Sequence, residues 1–280
     1  MLAARCRQAS FPADSDDDRI TKERIERQSP FSYNGFDVMT PREMYADLLI
    51  KALANTIYGD RPVAPKNTLF DESTRAEGKD WPSMAHTMVG LRRLENLRDL
   101  TQRVLDENTP GHFIETGVWR GGCCILIRGI LAANGVKDRN VYVADSFSGV
   151  PPPKREEDAG DILHSYMELA VPEAEVRANF AKYGLLDERV VFVSGQFHET
   201  LPSLEASPFA LVRLDGDLYE SQYVALEQLY PRLSPGGFVI VDDYYCIPTC
   251  TRAVTDYRAR HGITAPINEI DWSGGWWQKP

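Results

Sequence analysis

The sequence lacks the features that would place the protein in a membrane or on a nucleic acid. No apolar run approaches the roughly 20 residues of a membrane span, and the N-terminus has no apolar signal segment. The formal net charge of −10 comes without the clustered basic face that binds nucleic acid. These absences predict a cytoplasmic protein whose partners are small molecules or other proteins.

Cysteine is also scarce, and its arrangement argues against disulfides. The five cysteines are an odd number without the spacing of a disulfide framework, which favours a reducing compartment. Cys246 and Cys250 are spaced as neighbours on a helix, but no second Cys/His pair completes a zinc site. We therefore expect the thiols to be small buried side chains.

The 280 residues, of which 43% are hydrophobic, suffice for a sizeable core. Residues 1–40 are rich in charge and predict a flexible N-terminal extension. Residues 41–110 predict a helical first part of the folded domain, with a helix capped by Thr40 and a second helix beginning near Ser83. Residues 111–280 predict the core of that domain.

From Phe113 onwards, strand patterns alternate with helix patterns. This succession predicts a doubly wound, Rossmann-like α/β fold with a mostly parallel sheet between two layers of helices. The tail, at 267–270 and 275–278, predicts an antiparallel hairpin added to the sheet edge. The predicted strands are 113–115, 141–144, 190–193, 210–214 and 238–241, and the helices are 121–134, 173–183 and 221–233.

The first strand-to-helix turn, at 115–122, has the composition of a ligand-binding loop. Gly117 and Gly121 let the backbone approach a ligand, and the helix that follows directs free N–H groups towards it. The spacing is G-x-x-x-G-G rather than the dinucleotide pattern G-x-G-x-x-G, so a pyrophosphate is not specifically indicated. A purely structural turn is the alternative.

Acidic residues end the first two strands of the series. Asp145 stands where a carboxylate accepts the hydroxyls of a ribose, although it would also serve as a helix cap. Glu115, on the neighbouring strand, would face a charged amino-acid group. Each of these strands ends in a carboxylate, and no lysine or arginine that would bind phosphate is evident. This pattern favours a positively charged nucleoside cofactor such as S-adenosylmethionine.

Three further aspartates follow the last two parallel strands. Asp215 ends one strand, and Asp242 and Asp243 end the next, so their carboxylates are expected to face one point. Oxygen ligands of this kind favour Mg²⁺, and Asp215 is placed to act as both metal ligand and general base. Alternatively, Asp242 and Asp243 merely cap the following helix. Asp217 lies beyond the strand tip and is assigned to the next loop.

Taken together, these segments resemble the macrocin O-methyltransferase family, from about Tyr45 to Trp277. The resemblance implies a Mg²⁺-dependent class I methyltransferase that methylates a sugar hydroxyl of a glycosylated natural product in antibiotic biosynthesis, and it favours a homo-oligomer. The segments that carry the resemblance are 86–90, 115–122, 144–147, 183–186, 214–217, 235–238 and 242–244.

The resemblance also implies a set of site residues. Asp215, Asp242 and Asp243 would bind the metal, and Asp215 would be the catalytic base. The residues that would bind S-adenosylmethionine are Thr87, Met88, Glu115, Thr116, Gly117, Gly121, Asp145, Ser146, Gly195 and Gln196.

Two other functions compete with this prediction. A nicotinamide-dependent oxidoreductase would use the same type of sheet, but it needs neither the observed glycine spacing nor three aspartates at strand tips. A non-catalytic nucleoside-binding protein would leave those aspartates without chemistry.

Three features bear on the acceptor. Residues 147–161 predict a mobile lid, with a plain surface loop as the alternative. Trp272, Trp276 and Trp277 are expected in the core rather than in an apolar wall for an aglycone. His86, His164 and His198 are expected to make local hydrogen bonds rather than to assist proton transfer.

Overall fold

The computed structural model describes residues 39–64, 66, 68–205 and 208–280. The predicted flexible extension, apart from its last two residues, therefore lies outside the described residues, as does Cys6. The α-helices are α1 (Pro41–Leu53), α2 (Glu72–Ala76), α3 (Leu91–Asp106), α4 (Gly122–Ala133), α5 (Glu173–Lys182), α6 (Phe197–Thr200), α7 (Tyr219–Leu229) and α8 (Pro248–Arg260). The strands are β1 (Pro62–Ala64), β2 (Trp81–Pro82), β3 (His112–Thr116), β4 (Val141–Asp145), β5 (Val190–Ser194), β6 (Phe209–Leu214), β7 (Leu233–Val241), β8 (Asn268–Glu269) and β9 (Gly275–Gln278).

The main sheet has seven strands in the order β5-β4-β3-β6-β7-β9-β8. Strands β3 to β7 are parallel, and β9 pairs antiparallel with both β7 and β8. The predicted α/β fold and its C-terminal hairpin are thus confirmed. Strands β1 and β2 pair with each other in a separate antiparallel ribbon.

Alternate residues of each parallel strand enter two different cores. Phe113 packs with residues of α1, α3, α4 and α5 on one face of the sheet. Ile114, the next residue, packs with residues of α7 and α8 on the other. Because both faces are covered, every residue of β6 is buried, which explains why the strand is apolar apart from Arg213.

The helix starts agree only partly with the sequence. Thr40 and Glu43 form the capping box that starts α1, as the Thr40 cap predicted. The start of α3 near Ser83 is wrong, because the helix begins at Leu91 with Gly90 as its N-cap. Gly90 packs so tightly against the chain near Glu77 that a Cβ there would lie 2.7 Å from the Glu77 carbonyl carbon. Residues 83–90 therefore remain a loop.

The segment around α7 and β7 also differs from its predicted bounds. Helix α7 ends at Leu229, because Pro231 continues the chain into the 3₁₀ turn Tyr230–Arg232. Strand β7 then begins at Leu233, earlier than expected. Cys246 precedes α8, so its placement on one helix with Cys250 is wrong. Cys123, Cys124 and Cys250 are buried, as expected.

None of the helices in the described ranges combines the length and the apolar character that crossing a membrane requires.

Candidate active site

A cavity that is open to solvent lies at the carboxyl ends of the parallel strands. The chain builds the sheet outwards from β3 in one direction and from β6 in the other, so the topology reverses between these two strands. Such a switch point is where open α/β sheets bind their ligands. Predicted site residues that line the cavity are Thr87, Met88, Glu115, Gly117, Asp145, Ser146, Gly195, Gln196, Asp215, Asp242 and Asp243.

The loop after β3 packs directly against the loop after β6. Gly117 has a φ of 85°, and a Cβ there would overlap the carbonyl oxygen of Asp215. Gly121, with a φ of 87°, is the N-cap of α4, and a Cβ there would lie 2.8 Å from a methyl of Val176. Thr116 is buried within β3. Thr116 and Gly121 thus stand behind the cavity wall rather than on it.

Asp145 fixes the two loops that form the cofactor end of the cavity. One carboxylate oxygen accepts the backbone N–H of Val118 and the other that of Phe147, each at 2.7 Å. Burial raises the pKa of Asp145, while these donors oppose the rise. The next α-helix along the chain is α5, so Asp145 is not a helix cap. The backbone N–H of Trp119 and the hydroxyl of Ser146 also donate to this carboxylate.

Asp215, Asp242 and Asp243 form one group of potential metal ligands. One carboxylate oxygen from each lies within 4.8 Å of the others. Asp242 and Asp243 directly follow β7 and are each 5% exposed, whereas Asp215 follows β6 and its side chain is 24% exposed. Since the N-cap of α8 is Ile247, the alternative that the pair caps this helix is not observed.

Two buried arginines hold this acidic group together. Arg213, in β6, forms ion pairs with Glu115, Asp215 and Asp242. Arg93, in α3, forms ion pairs with Asp242 and, at 3.0 Å, with Asp271. No role for either arginine is predicted from the sequence. The sequence feature that could have pointed to Arg213 is its position as a single charged residue inside the otherwise apolar strand β6.

The acidic group has an excess of negative charge. Among the described residues, two guanidinium groups pair with an acidic set formed by Glu115, Asp215, Asp242, Asp243 and Asp271. Burial raises the pKa of Asp215 well above its ordinary value, and Asp242 adds to the rise while Arg213 opposes it. Burial and Asp242 raise the pKa of Asp243 in the same way. The arrangement therefore suits a bound divalent cation with oxygen ligands.

Asp217 belongs to the site, although the sequence analysis set it aside. It lies in the loop after β6, as expected, but its side chain also lines the cavity. Burial raises the pKa of its carboxyl group well above the ordinary value, and Asp243 and Asp215 act in the same direction. Its φ of 59° places a non-glycine residue in the left-handed region, which is frequent at functional sites.

The C-terminal turn forms another part of the wall. Trp272 lines the cavity, and its indole N–H donates to the carbonyl of Glu77 at 2.7 Å. Trp277 is fully buried in the core, and Trp276 packs against it. The expected core position is thus confirmed for Trp276 and Trp277 and is wrong for Trp272. Trp272 stays in the wall because Arg93 and Lys79 lie over its ring, at 5.7 and 5.5 Å from the centroid.

Residues 147–161, here called the lid segment, run along the cavity. Gly149, Val150 and Pro151 line it, and Leu163 and Leu169 continue the lining beyond the segment. The Trp119 indole N–H donates to the carbonyl of Glu168 at 2.9 Å. The first part of the lid segment therefore forms part of the cavity wall in this structure.

His86 makes a local hydrogen bond, as expected. Its Nδ1 lies 2.7 Å from the hydroxyl of Tyr183. Burial lowers the pKa of His86 to about 4, and the charges of Lys182 and Arg120 act in the same direction. His86 is therefore neutral near pH 7. Neither His164 nor His198 lines the cavity.

Comparisons with known proteins agree with this geometry. The family model of the macrocin O-methyltransferases matches residues 31–279. Demethyldecarbamoylnovobiocin O-methyltransferase from Streptomyces niveus is 49% identical over 244 residues, which cover 84% of this chain and 93% of that enzyme. The Streptomyces olivaceus enzyme 8-demethyl-8-(2,3-dimethoxy-alpha-L-rhamnosyl)-tetracenomycin-C 4'-O-methyltransferase is 51% identical over 245 residues, which cover 85% of this chain and 93% of that enzyme.

A solved structure is similar over the same length. The structure of the O-methyltransferase NovP matches with a TM-score of 0.82 at 48% identity, and the match covers 85% of this chain and 99% of that one. The family model and these relatives match most of the chain, and the residues matched by the family model include those that line the cavity. The chain therefore belongs to the macrocin O-methyltransferase family and is an S-adenosylmethionine-dependent O-methyltransferase.

Proposed function

We propose that this enzyme methylates a sugar hydroxyl of a glycosylated natural product in antibiotic biosynthesis, with Mg²⁺ bound by Asp215, Asp242 and Asp243. The observation that carries the proposal is the convergence of these carboxylates, within 4.8 Å, on the cavity that Gly117 and Asp145 also line. The rhamnosyl group in the name of the Streptomyces olivaceus relative supports a sugar acceptor. The oxidoreductase and non-catalytic alternatives lack support of this kind.

S-Adenosylmethionine is proposed to occupy the half of the cavity beside β3, β4 and β5. Asp145, the last residue of β4, lines the cavity and would accept the ribose hydroxyls. Thr87, Met88 and Glu115 would face the methionine end, and Gly195 and Gln196 the adenine. Gly117 and Ser146 would also contact the cofactor. Thr116 and Gly121 lie behind the residues that line the cavity.

The three aspartates fit Mg²⁺ by the chemistry of their donors. They offer carboxylate oxygens only, in a buried acidic group whose charge Arg93 and Arg213 neutralise incompletely. When bound, Mg²⁺ would lower the pKa of an acceptor hydroxyl and orient it. The protein side chains supply the remaining requirements of the reaction.

The reaction is proposed as an in-line displacement at the methyl carbon of S-adenosylmethionine. The acceptor oxygen forms the new O–C bond, the S–C bond breaks, and its electron pair goes to sulfur, which yields S-adenosylhomocysteine. The hydroxyl proton moves to a carboxylate. Because the cavity holds both reactants side by side, proximity supplies much of the rate enhancement.

Two aspartates are candidates for the base. Asp215 is the residue indicated by the sequence, but Oδ2 of its carboxylate accepts a hydrogen bond from Arg213 at 2.8 Å, and the side chain belongs to the metal group. Asp217 lies outside that group and lines the same cavity, and burial raises the pKa of its carboxyl group. We propose the pair Asp215 and Asp217 as the proton-accepting carboxylates.

The acceptor is proposed to lie between the lid segment and the tryptophan wall. Val150, Leu163 and Leu169 face the cavity from the lid side, and Trp81 and Trp272 line it as well. Aromatic and aliphatic groups in these places would contact the apolar faces of a sugar and its aglycone, and they would exclude water from the reacting atoms.

An acceptor assay tests the proposal. Purified enzyme is incubated with S-adenosylmethionine and a panel of glycosides, including demethyldecarbamoylnovobiocin, and the products are analysed by mass spectrometry. We expect one added methyl, placed on the sugar by fragmentation. Methylation restricted to non-sugar hydroxyls, or to free sugars rather than glycosides, would contradict the proposed acceptor.

A further inference from the structure

Helix α7 is capped by a residue from the lid segment. Its own N-cap, Leu218, offers no side-chain acceptor. The carboxylate of Asp158 takes this role: Oδ1 accepts the N–H of Tyr219 at 2.7 Å, and Oδ2 accepts the N–H of Glu220 at 3.1 Å. These are the orphan donors of the first turn, where a carboxylate is also favoured by the helix dipole.

The side chain of Asp158 is buried, although most residues around it in the lid segment are more exposed. It is 1% exposed, whereas Glu156 and Ala159 beside it are exposed. Cavity-lining residues flank it on both sides, namely Pro151 before it and Leu163 after it. The Arg155 guanidinium adds a weak contact to Glu220 at 3.9 Å. The contact of Asp158 with α7 thus anchors the C-terminal part of the lid segment beside the cavity.

The capped turn is packed tightly against the loop that carries Asp215 and Asp217, the proposed proton-accepting carboxylates. A Cβ at Gly216 would lie only 2.9 Å from the Cβ of Ser221 in the first turn of α7. The N–H of Leu218 donates back to the carbonyl of Gly216 at 2.6 Å, and Asp217 between them has a left-handed backbone. Ser221 and Asp217 both line the cavity. A displacement of this turn would therefore move the loop 215–218.

We propose that Asp158 is a positioning residue that couples the docking of the lid segment to the order of the loop 215–218. The inference rests on the proposed function, because that function gives Asp215 and Asp217 their roles. When the lid segment is docked, Asp158 caps α7, and Asp215 and Asp217 are held in the cavity. When the lid segment lifts, α7 loses its cap and the loop relaxes, so the acids are ordered only while the cavity is covered.

Hydrogen exchange measured by mass spectrometry tests the coupling in the full-length protein without requiring turnover. Asp158→Ala is expected to accelerate amide exchange in peptides that span 215–223, a region about 60 residues away in sequence. Asp158→Asn, which keeps a neutral acceptor, is expected to give an intermediate result. Glu156→Gln, a neighbouring exposed carboxyl, is the matched control and should exchange like the unmodified protein.

Kinetics give a second readout. Because a helix cap contributes to stability on a scale that corresponds to about tenfold in an equilibrium, we expect kcat of Asp158→Ala to fall about tenfold. The KM for S-adenosylmethionine should change less than twofold, and Asp158→Asn should recover part of kcat. Circular dichroism establishes that each variant is folded, and if Asp158→Ala is not, Asp158→Asn is compared with Glu156→Gln.

The outcomes separate this inference from the proposed function. Unchanged exchange at 215–223 in a folded Asp158 variant would overturn the coupling, even if methylation of glycosides is observed. Failure of the unmodified enzyme to methylate any glycoside, together with accelerated exchange in the variant, would overturn the proposed acceptor and leave the coupling supported.

Discussion

Arg213 and Asp242 form a buried ion pair that joins β6 to the end of the adjacent strand β7. The same guanidinium reaches Glu115, at the end of β3, and Asp215. One cation therefore links three neighbouring strands at the edge of the sheet where the cavity lies. The acidic site depends on this arginine for its charge balance.

Replacing Arg213 with Met should destabilise the protein strongly. The change leaves Glu115, Asp215 and Asp242 without their shared cation, and loss of one partner from a buried ion pair costs about 3–5 kcal/mol. Urea denaturation should show a fall of that size in the free energy of unfolding. Arg252→Gln, which removes the exposed pair with Asp256 at 3.6 Å, serves as the control and should leave stability unchanged. Equal stability of the two variants would contradict the role of Arg213.

Gly117→Ala should be more damaging than Gly135→Ala. Both glycines have positive φ, 85° and 70°, so each alanine carries a similar backbone strain of about 1–2 kcal/mol. A Cβ at Gly135 meets nothing within 4 Å, whereas a Cβ at Gly117 overlaps the carbonyl oxygen of Asp215. Denaturation and methyl-transfer rates should therefore show an additional loss for Gly117→Ala. Similar losses in the two variants would mean that the two loops do not pack as described.

His86 should contribute to the pH dependence of stability. Its pKa falls from 6.5 to about 4 on folding, so the unfolded chain takes up this proton more readily. The contribution is fully present above pH 6.5 and is lost as the pH falls from 6.5 towards 4. His86→Gln should make the free energy of unfolding less dependent on pH in that window. A slope identical to that of the unmodified protein would show that His86 is not buried in neutral form.

Asp215→Asn and Asp217→Asn should differ in metal binding. Asp215 belongs to the proposed ligand set, so its variant should lose most of the Mg²⁺ binding measured by calorimetry, together with activity. Asp217→Asn should still bind Mg²⁺, while kcat falls by roughly 10²–10⁴ because a proton acceptor is lost. If Asp217→Asn retains full kcat, Asp217 is not a proton acceptor in the reaction.

The sequence predicted those parts of the fold that depend on local pattern. Apolar runs ending in acids identified the strands that carry Asp145, Asp215 and Asp242, because buried parallel strands leave a continuous apolar signal. The glycines of the turn 115–122 then indicated the end of the sheet at which the cavity lies. The start of α3 was misjudged because residues 83–90 have helix-compatible side chains, although the packing of Gly90 against a distant loop keeps them out of the helix.

Contacts between distant segments could not be predicted in this way. Arg93 and Asp271 are 178 residues apart, and Asp158 and Tyr219 are 61 apart, so no spacing rule connects them. The importance of Arg213 was hidden because a single charge in an apolar strand does not reveal its partners. Asp217 was set aside on its position past the strand tip, whereas the left-handed backbone of its loop keeps the side chain in the cavity.

The central claim is that Asp215, Asp242 and Asp243 bind a metal ion on which methyl transfer depends. The most direct test follows methyl transfer from S-adenosylmethionine to an accepted glycoside after complete chelation and again after Mg²⁺ is restored. The account predicts that chelation abolishes turnover, that Mg²⁺ restores it, and that Asp243→Asn is not restored at the same Mg²⁺ concentration. Turnover that continues at its full rate after complete metal removal would contradict it.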